Sequence, residues 1–309
     1  MTAAAAGTRS TLLAVGPDVY AYTQLPGGWC VSNAGVIVGE DGVVVVDTLA
    51  TRSRARRLRE AVDGLNAGPT RTVVNTHHHG DHVFGNAEIG ADAPVEIIAH
   101  DRMPGELADT GLALTRLWPD VDWGDVRLSG PTITFSDRMS LVRGGRIIEL
   151  LHVGPAHTTN DVVVWLPAER VLFAGDVVLS GSTPFVLMGS VEGSLTAIER
   201  LALLRADVVV CGHGPVTGPE VFEQNIAYLR WLQRYARQAH SAGISPLDAA
   251  RHADLGPFAD LLDPERIVGN LHRAYAELDG AAPGAAIDVA PVFGEMIRYN
   301  GGRLPDCLA

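Results

Sequence analysis

Lysine is absent from all 309 residues, so every one of the 24 cationic side chains is an arginine. A GC-rich coding bias accounts for that without a functional reason. Cysteine is scarce: Cys30, Cys211 and Cys307 are too few and too scattered for a disulfide framework, and no pair has zinc-ribbon spacing. A reducing, cytoplasmic setting is therefore expected. Residues 1–7 are small and apolar but lack a charged start and a proper apolar stretch, which argues against a signal peptide. No apolar run approaches the roughly 18 residues a membrane helix needs, so no membrane partner is expected. Positive charge is also short: a net charge of -12 argues against nucleic acid as a partner. What is present, 47% hydrophobic and 19% charged residues, is ordinary for a globular chain with a sizeable core.

The first third reads as strands at 19–23, 30–38 and 43–47, the last two joined by the hairpin signal Glu40-Asp41-Gly42. A helix over 52–65 follows, with Ala55, Leu58, Ala61, Val62 and Leu65 at helical spacing. Strands at 72–75 and 96–99 and a helix over 104–117 come next. The second half repeats this grammar, with strands at 147–152, 162–166, 171–173 and 208–211 and a helix over 195–204. Beyond Pro219 helices are expected at 221–240, 247–253, 264–278 and 292–299, with a loop at 280–286. In each half a polar cluster sits just after a short apolar strand. That suits an α/β fold, a sheet-on-sheet core with helices outside and a site on loops at one edge. With no long linker, the chain reads as a single domain, core about 15–218 and C-terminal helical extension about 219–309.

The strongest chemical signal is Thr76-His77-His78-His79-Gly80-Asp81-His82. Four imidazoles and a carboxylate directly after a strand cannot all be buried without partners, and histidine with aspartate is a donor set suited to zinc. The remaining histidines read differently: His240, His252 and His272 fall on helices as surface or packed residues, and His100 and His152 flank strands. Cys211, on a buried strand, reads as a small core hydrophobe.

His77, His79, Asp81 and His82 match the His-X-His-X-Asp-His signature, and with them the chain resembles the metallo-β-lactamase superfamily. The other motifs follow in order: Asp47 after four valines, His157 in Gly-Pro-Ala-His-Thr, Asp176 in Leu-Phe-Ala-Gly-Asp, and His213 in Gly-His-Gly. The resemblance implies an αβ/βα four-layer sandwich and two zinc ions, with iron or manganese as alternatives. It puts one ion on His77, His79 and His157 and the other on Asp81, His82 and His213, with Asp176 bridging. A shared carboxylate lets two dications sit side by side. His78 would point away. Asp47 would orient the ligand loop from behind, and Asp81 would be the catalytic acid–base group. Asp176 resembles the bridge of thioesterase-like members such as glyoxalase II rather than of true β-lactamases.

A narrower resemblance lies in Gly27-Gly28-Trp29-Cys30-Val31-Ser32-Asn33-Ala34-Gly35, in Thr110-Gly111-Leu112-Ala113-Leu114-Thr115 and in Tyr299-Asn300-Gly301-Gly302-Arg303-Leu304-Pro305. These are similar to cyclases of bacterial aromatic polyketide pathways, above all second-ring cyclases of the actinorhodin type. That implies an aromatic polyketide substrate, carried as a poly-β-ketone on an acyl carrier protein, with ring closure and thioester release as the reactions. Trp29, Trp118 and Phe185 are the expected substrate-gripping aromatics. The run Arg52, Arg54, Arg56, Arg57, Arg59 would offer charge complementary to an acidic carrier. The alternatives are a glyoxalase II-like thioesterase or lactone hydrolase, and a mononuclear iron dioxygenase. Nothing in the sequence points to an oligomeric state.

Overall fold

The computed structural model describes residues 9–309; the stretch 1–7, read above as no signal peptide, lies outside the described residues. The chain builds β1 (Arg9–Gly16), β2 (Val19–Leu25), β3 (Ala34–Gly39), β4 (Gly42–Val46), α1 (Arg52–Asp63), β5 (Thr70–Val74), α2 (Gly80–Val83), α3 (Asn86–Ile89), β6 (Glu96–His100), α4 (Met103–Thr110), α5 (Ala113–Leu117) and β7 (Ile133–Phe135). The second half adds β8 (Arg138–Arg143), β9 (Arg146–His152), β10 (Val162–Leu166), β11 (Val171–Gly175), α6 (Val191–Ala202), β12 (Val208–Cys211), α7 (Glu220–Ser241), α8 (Pro246–His252), α9 (Arg266–Leu278) and α10 (Val289–Tyr299).

Strands β1 to β7 form one sheet in sequence order, and β12-β11-β10-β9-β8 form the other. The alternation of side chains along each strand divides the core into layers. Val44 and Val46 of β4 face Val164, Leu166 and Phe173 in the cluster between the sheets. Val43 and Val45 point the other way, onto Leu58 and Val62 of α1. Val163, Trp165 and Leu172 leave the second sheet on its far side and pack with Ile198, Tyr228 and Leu271 of α6, α7 and α9. The result is the four-layer helix–sheet–sheet–helix sandwich expected of an α/β chain. The inner strands β4 and β10 read as near-continuous valine runs because both of their faces are covered.

Several elements depart from the expected bounds for identifiable reasons. The strand expected at 30–38 starts only at Ala34, because Gly27, Gly28 and Cys30 all hold positive φ. The helix expected over 104–117 breaks at Gly111 (φ 52°) into α4 and α5. α6 starts a turn early because the Ser190 side chain caps it at Gly193 N–H, and Asp288 likewise caps α10 at Ala290 N–H. β1, β7 and β8 were not anticipated; β1 is an edge strand with mostly exposed side chains, so it carries no burial period to read. No helix among the described residues is long and apolar enough to cross a membrane.

Candidate metal centre

The parallel pair β4–β5 and the parallel pair β11–β12 deliver their following loops to one edge of the sandwich. Asp47 follows β4, the histidine cluster follows β5, Asp176 follows β11 and His213 follows β12. Close backbone approach at this edge demands glycine: a Cβ on Gly212 would lie 1.8 Å from Asp176 Oδ1.

Three overlapping groups form there, His77/His79/His157, His77/His82/Asp176 and Asp81/His82/His213, each with its donor atoms within 4.8 Å of one another. All seven residues assigned as ligands by the resemblance are thus brought together. Asp176 lies between the outer two groups: its Oδ1 is 3.3 Å from His82 Nε2, and its Oδ2 is 3.3 Å from His213 Nε2 and 3.5 Å from His157 Nε2. Asp81 Oδ2 is 3.3 Å from His213 Nε2 and 3.8 Å from His82 Nε2.

The outward ring nitrogen of four histidines is held by an acceptor. His77 Nδ1 is 3.0 Å from Thr76 Oγ1, and that hydroxyl donates to Asp47 Oδ2 at 2.7 Å. His82 Nδ1 meets Asp47 Oδ2 at 2.8 Å, His157 Nδ1 meets the Phe185 carbonyl at 2.5 Å, and His213 Nδ1 meets the Val31 carbonyl at 3.1 Å. Each such contact places the proton on Nδ1 and turns the Nε2 lone pair inward. Buried His77 Nε2, His79 Nε2, His82 Nε2 and Asp176 Oδ1 have no hydrogen-bond partner. Four orphaned polar atoms in one spot would be very costly in an apolar interior. A cation accepting those lone pairs removes the cost, so the donor set fits metal ions.

The carboxylates divide the histidines by charge. Burial holds His77 and His79 well below the usual imidazole range, and neighbouring imidazoles push the same way. At His82 and His213 burial also favours the neutral ring, but Asp176 and the carboxylates beside it outweigh it. His82 is held well above its ordinary value and His213 is raised to about 9. Burial would raise Asp176 and Asp81, yet His213 and His82 keep both carboxyls below their usual range.

The other expected residues fall as follows. Asp47, 2% exposed, accepts from Thr76 N, Thr76 Oγ1 and His82 Nδ1, and so orients the loop from behind. His78 turns away to Asn160, 2.9 Å off. His100 and His152 stack on each other at 3.8 Å, and His152 reaches the Asp161 carbonyl rather than the centre. His240 and His272 pair with Asp279 and Glu295, and His252 bonds the Asp248 carbonyl. Burial pushes the Cys211 thiol up, as suits a core residue.

Over the donor cluster opens a cavity of about 260 Å³. His79, Asp81, His157, Asp176 and His213 form its floor, and its walls are apolar, from Trp29, Leu114, Leu117, Phe185, Phe293 and Met296. Trp29 packs edge-on against Phe185 at 5.2 Å. Trp118 is a correction. It is 4% exposed and does not line the cavity; it packs behind Trp29 and Phe293, both at 5.6 Å, and donates to the Pro305 carbonyl. In the arginine run, Arg52, Arg56 and Arg59 converge on Glu88 while Arg52, Arg56 and Arg57 stay exposed, and Arg54 is buried, bonding Gln24 and the Leu308 carbonyl.

Sequence reading missed Asp161, whose carboxylate gathers Ala156 N, Thr158 N and Thr158 Oγ1 and so shapes the His157 loop. It missed Asn33, whose amide donates to the carbonyls of Cys211 and Gly214 on either side of His213. It also missed the cavity wall contributed by α9 and α10. The fourth-residue spacing of Asp161 after His157 is the one available signal; the others are purely tertiary.

A family model described as the metallo-beta-lactamase superfamily matches residues 27–213. Among curated proteins the chain is 31% identical over 183 residues to the alpha subunit of 2,4-dinitroanisole O-demethylase from Nocardioides sp. (strain JS1661), covering 57% of this chain and 51% of that one. It is 30% identical over 165 residues to hydroxyacylglutathione hydrolase from Methylococcus capsulatus, covering 50% of this chain and 56% of that one. The chain thus spans only about half the length of these relatives, by the 51% and 56% covered. Among solved structures, a sec-alkyl sulfatase superposes with a TM-score of 0.68 at 18% identity, covering 88% of this chain and 51% of that one, a likeness of fold.

Proposed function

The chain belongs to the metallo-β-lactamase superfamily, and from that premise we propose that it is a metal-dependent hydrolase cleaving a thioester or related ester with a flat, apolar acyl part. The observation that carries this reading is the cavity: its floor is the donor cluster and its walls are aromatic and aliphatic. Similarity to hydroxyacylglutathione hydrolase supports the reaction class. A glutathione thioester itself fits poorly, because it needs cationic partners for its carboxylates. Arg266 is the one guanidinium lining the cavity among the described residues, and it already pairs with Asp263 at 2.9 Å.

Two zinc ions are proposed for the cluster, one on His77, His79 and His157, the other on Asp81, His82 and His213, with Asp176 shared. When bound, they would supply Lewis acidity that polarises a carbonyl and lowers the pKa of water. The remaining work falls to side chains. Asp81 faces the cavity beside the other donors, where its carboxylate can take the proton of an attacking water. Asp47, Val31 O and Phe185 O hold the imidazoles in one tautomer and orientation. Trp29 and Phe185 exclude water and hold the acyl group flat. Donors beyond those a single iron needs converge here, which speaks against the mononuclear dioxygenase alternative.

A second reading, closure of the second ring of a carrier-bound aromatic polyketide, is favoured by one specific observation. Two of the three segments likened above to polyketide cyclases line this cavity, and the third packs behind it. Trp29 and Cys30 line it, as do Thr110, Ala113 and Leu114, while Pro305 anchors Trp118 behind Trp29. Turnover of S-(2-naphthoyl)-N-acetylcysteamine against S-lactoylglutathione tests the main reading. The naphthoyl thioester should be hydrolysed with a kcat/KM at least about tenfold higher. A preference for the glutathione thioester, or hydrolysis of neither, refutes it. Ring closure of a poly-β-ketone thioester without hydrolysis of simple thioesters would put the cyclase reading in its place.

A further inference from the structure

The wall of the cavity nearest α9 holds a buried cation that the hydrolytic chemistry does not use. Arg266 is 3% exposed and lines the same cavity as Asp81, Asp176 and His213. Its guanidinium carbon sits 4.3 Å from the Trp29 ring centroid and 5.9 Å from that of Phe185. Trp29 is in turn fixed by its indole N–H, which donates to Glu265 Oε1 at 2.6 Å. Arg266 is therefore locked against the two aromatic side chains that define the slot.

The donor inventory of this guanidinium is incomplete. Its NH1 donates to the Thr183 carbonyl at 3.1 Å, and its NH2 faces Asp263 Oδ2 at 2.9 Å. Its Nε–H is buried and has no acceptor. Guanidinium carries five N–H groups in a rigid fork and accepts nothing, so an idle buried donor calls for an oxygen from outside the chain. Charge limits which oxygen. The positive charge is already met by Asp263, and Glu265 lies beside it with burial pushing its carboxyl up. A substrate carboxylate would bring a further anion beside these two acidic side chains, whereas a neutral carbonyl adds an acceptor and no charge.

We propose that Arg266 is a substrate-recognition residue whose Nε–H binds a neutral carbonyl oxygen on the flat apolar body, a second carbonyl besides the one at the metal centre. The inference rests on the hydrolase reading for the location of the reacting bond and deepens it. The substrate class becomes apolar, flat ketoacyl thioesters or esters, and a plain aromatic acyl group leaves the Arg266 donor unsatisfied. Sites built around a hydrogen bond to substrate reject analogues lacking it, because the protein group is then left buried and unpaired.

Equilibrium binding to the metal-loaded protein tests this without turnover, so its failure is distinct from failure of the hydrolase reading. The probes are 2-acetylnaphthalene and 2-isopropenylnaphthalene, which share a shape and differ by oxygen against CH₂. The ratio of their dissociation constants is measured by calorimetry for the wild type, Arg266→Met, and the double variant Arg266→Met/Asp263→Asn, which avoids leaving Asp263 unpaired. Relative to either variant, the wild-type ratio should favour the ketone by about tenfold or more, as for a charge-assisted hydrogen bond, with metal content equal in all three. If Arg266→Met fails to fold, the double variant decides. An unchanged ratio in a folded, metal-loaded variant overturns the proposal, since the ketone is then read by the metal centre or not at all.

Discussion

Asp47→Ala removes a residue that the centre should not touch directly yet should not do without. The carboxylate is 2% exposed and accepts three hydrogen bonds, from Thr76 N at 2.8 Å, Thr76 Oγ1 at 2.7 Å and His82 Nδ1 at 2.8 Å. Bonds to an ionised acceptor contribute about 1.5–3 kcal/mol each. They share one acceptor and are not additive, so the expected destabilisation is about 3–5 kcal/mol, at the upper end for a single substitution. Part of it comes from placing alanine at φ 59°, a backbone region that aspartate tolerates better. The second effect is on metal. His82 loses the partner that fixes its tautomer, and His77 loses it indirectly through Thr76. Loss of such an outer partner typically lowers metal affinity 10- to 100-fold. Urea unfolding of the chelated protein reads the first effect, and competition with a chromogenic chelator reads the second. Thr76→Val serves as the comparison, because it keeps the Asp47–His82 contact while removing the hydroxyl that joins Asp47 to His77, and should cost about 1.5–3 kcal/mol, less than Asp47→Ala. If Asp47→Ala keeps wild-type metal affinity and loses less than about 1 kcal/mol, the reasoning from orientation is wrong.

Trp118→Ala should cost about 3–5 kcal/mol in denaturant unfolding. By freeing Trp29 it should raise KM for a naphthoyl thioester far more than for an acetyl thioester, and equal changes would mean that Trp118 does not support the slot. Glu88→Gln should lower stability by about 1–3 kcal/mol, because a carboxylate only 8% exposed gathers Arg52, Arg56 and Arg59; an unchanged urea midpoint would show those pairs to be idle. Chelation should lower the melting temperature of the whole chain as well as abolish turnover, since ions that bind only the folded state stabilise it. A chelated protein with unaltered melting would place the ions outside the fold's core edge.

The donor cluster was legible in the sequence because its members are local. His77, His79, Asp81 and His82 come from one segment, and Asp176 and His213 each follow a short apolar strand whose end meets the same edge. The layered core was legible for the same reason, since Val43 to Val46 and Val162 to Leu166 announce strands covered on both faces. What the pattern could not carry was tertiary. β1 is an exposed edge with no period, and the break at Gly111 depends on a single dihedral angle. Helical spacing shows that α9 and α10 have apolar faces but not that Arg266, Phe293 and Met296 wall a cavity built on loops of the preceding sandwich. The partner of the arginine run was not legible either, because Glu88, which gathers three of its members, lies on another element, α3.

Paired ions at the donor cluster are directly observable. Anomalous scattering from crystals of protein grown with zinc, collected on both sides of the zinc edge, locates the ions without reference to activity. Two peaks should appear, one among His77, His79 and His157 and one among Asp81, His82 and His213, with Asp176 contacting both. A single peak, or zinc bound away from these side chains while their donor atoms remain unpartnered, would contradict the paired centre.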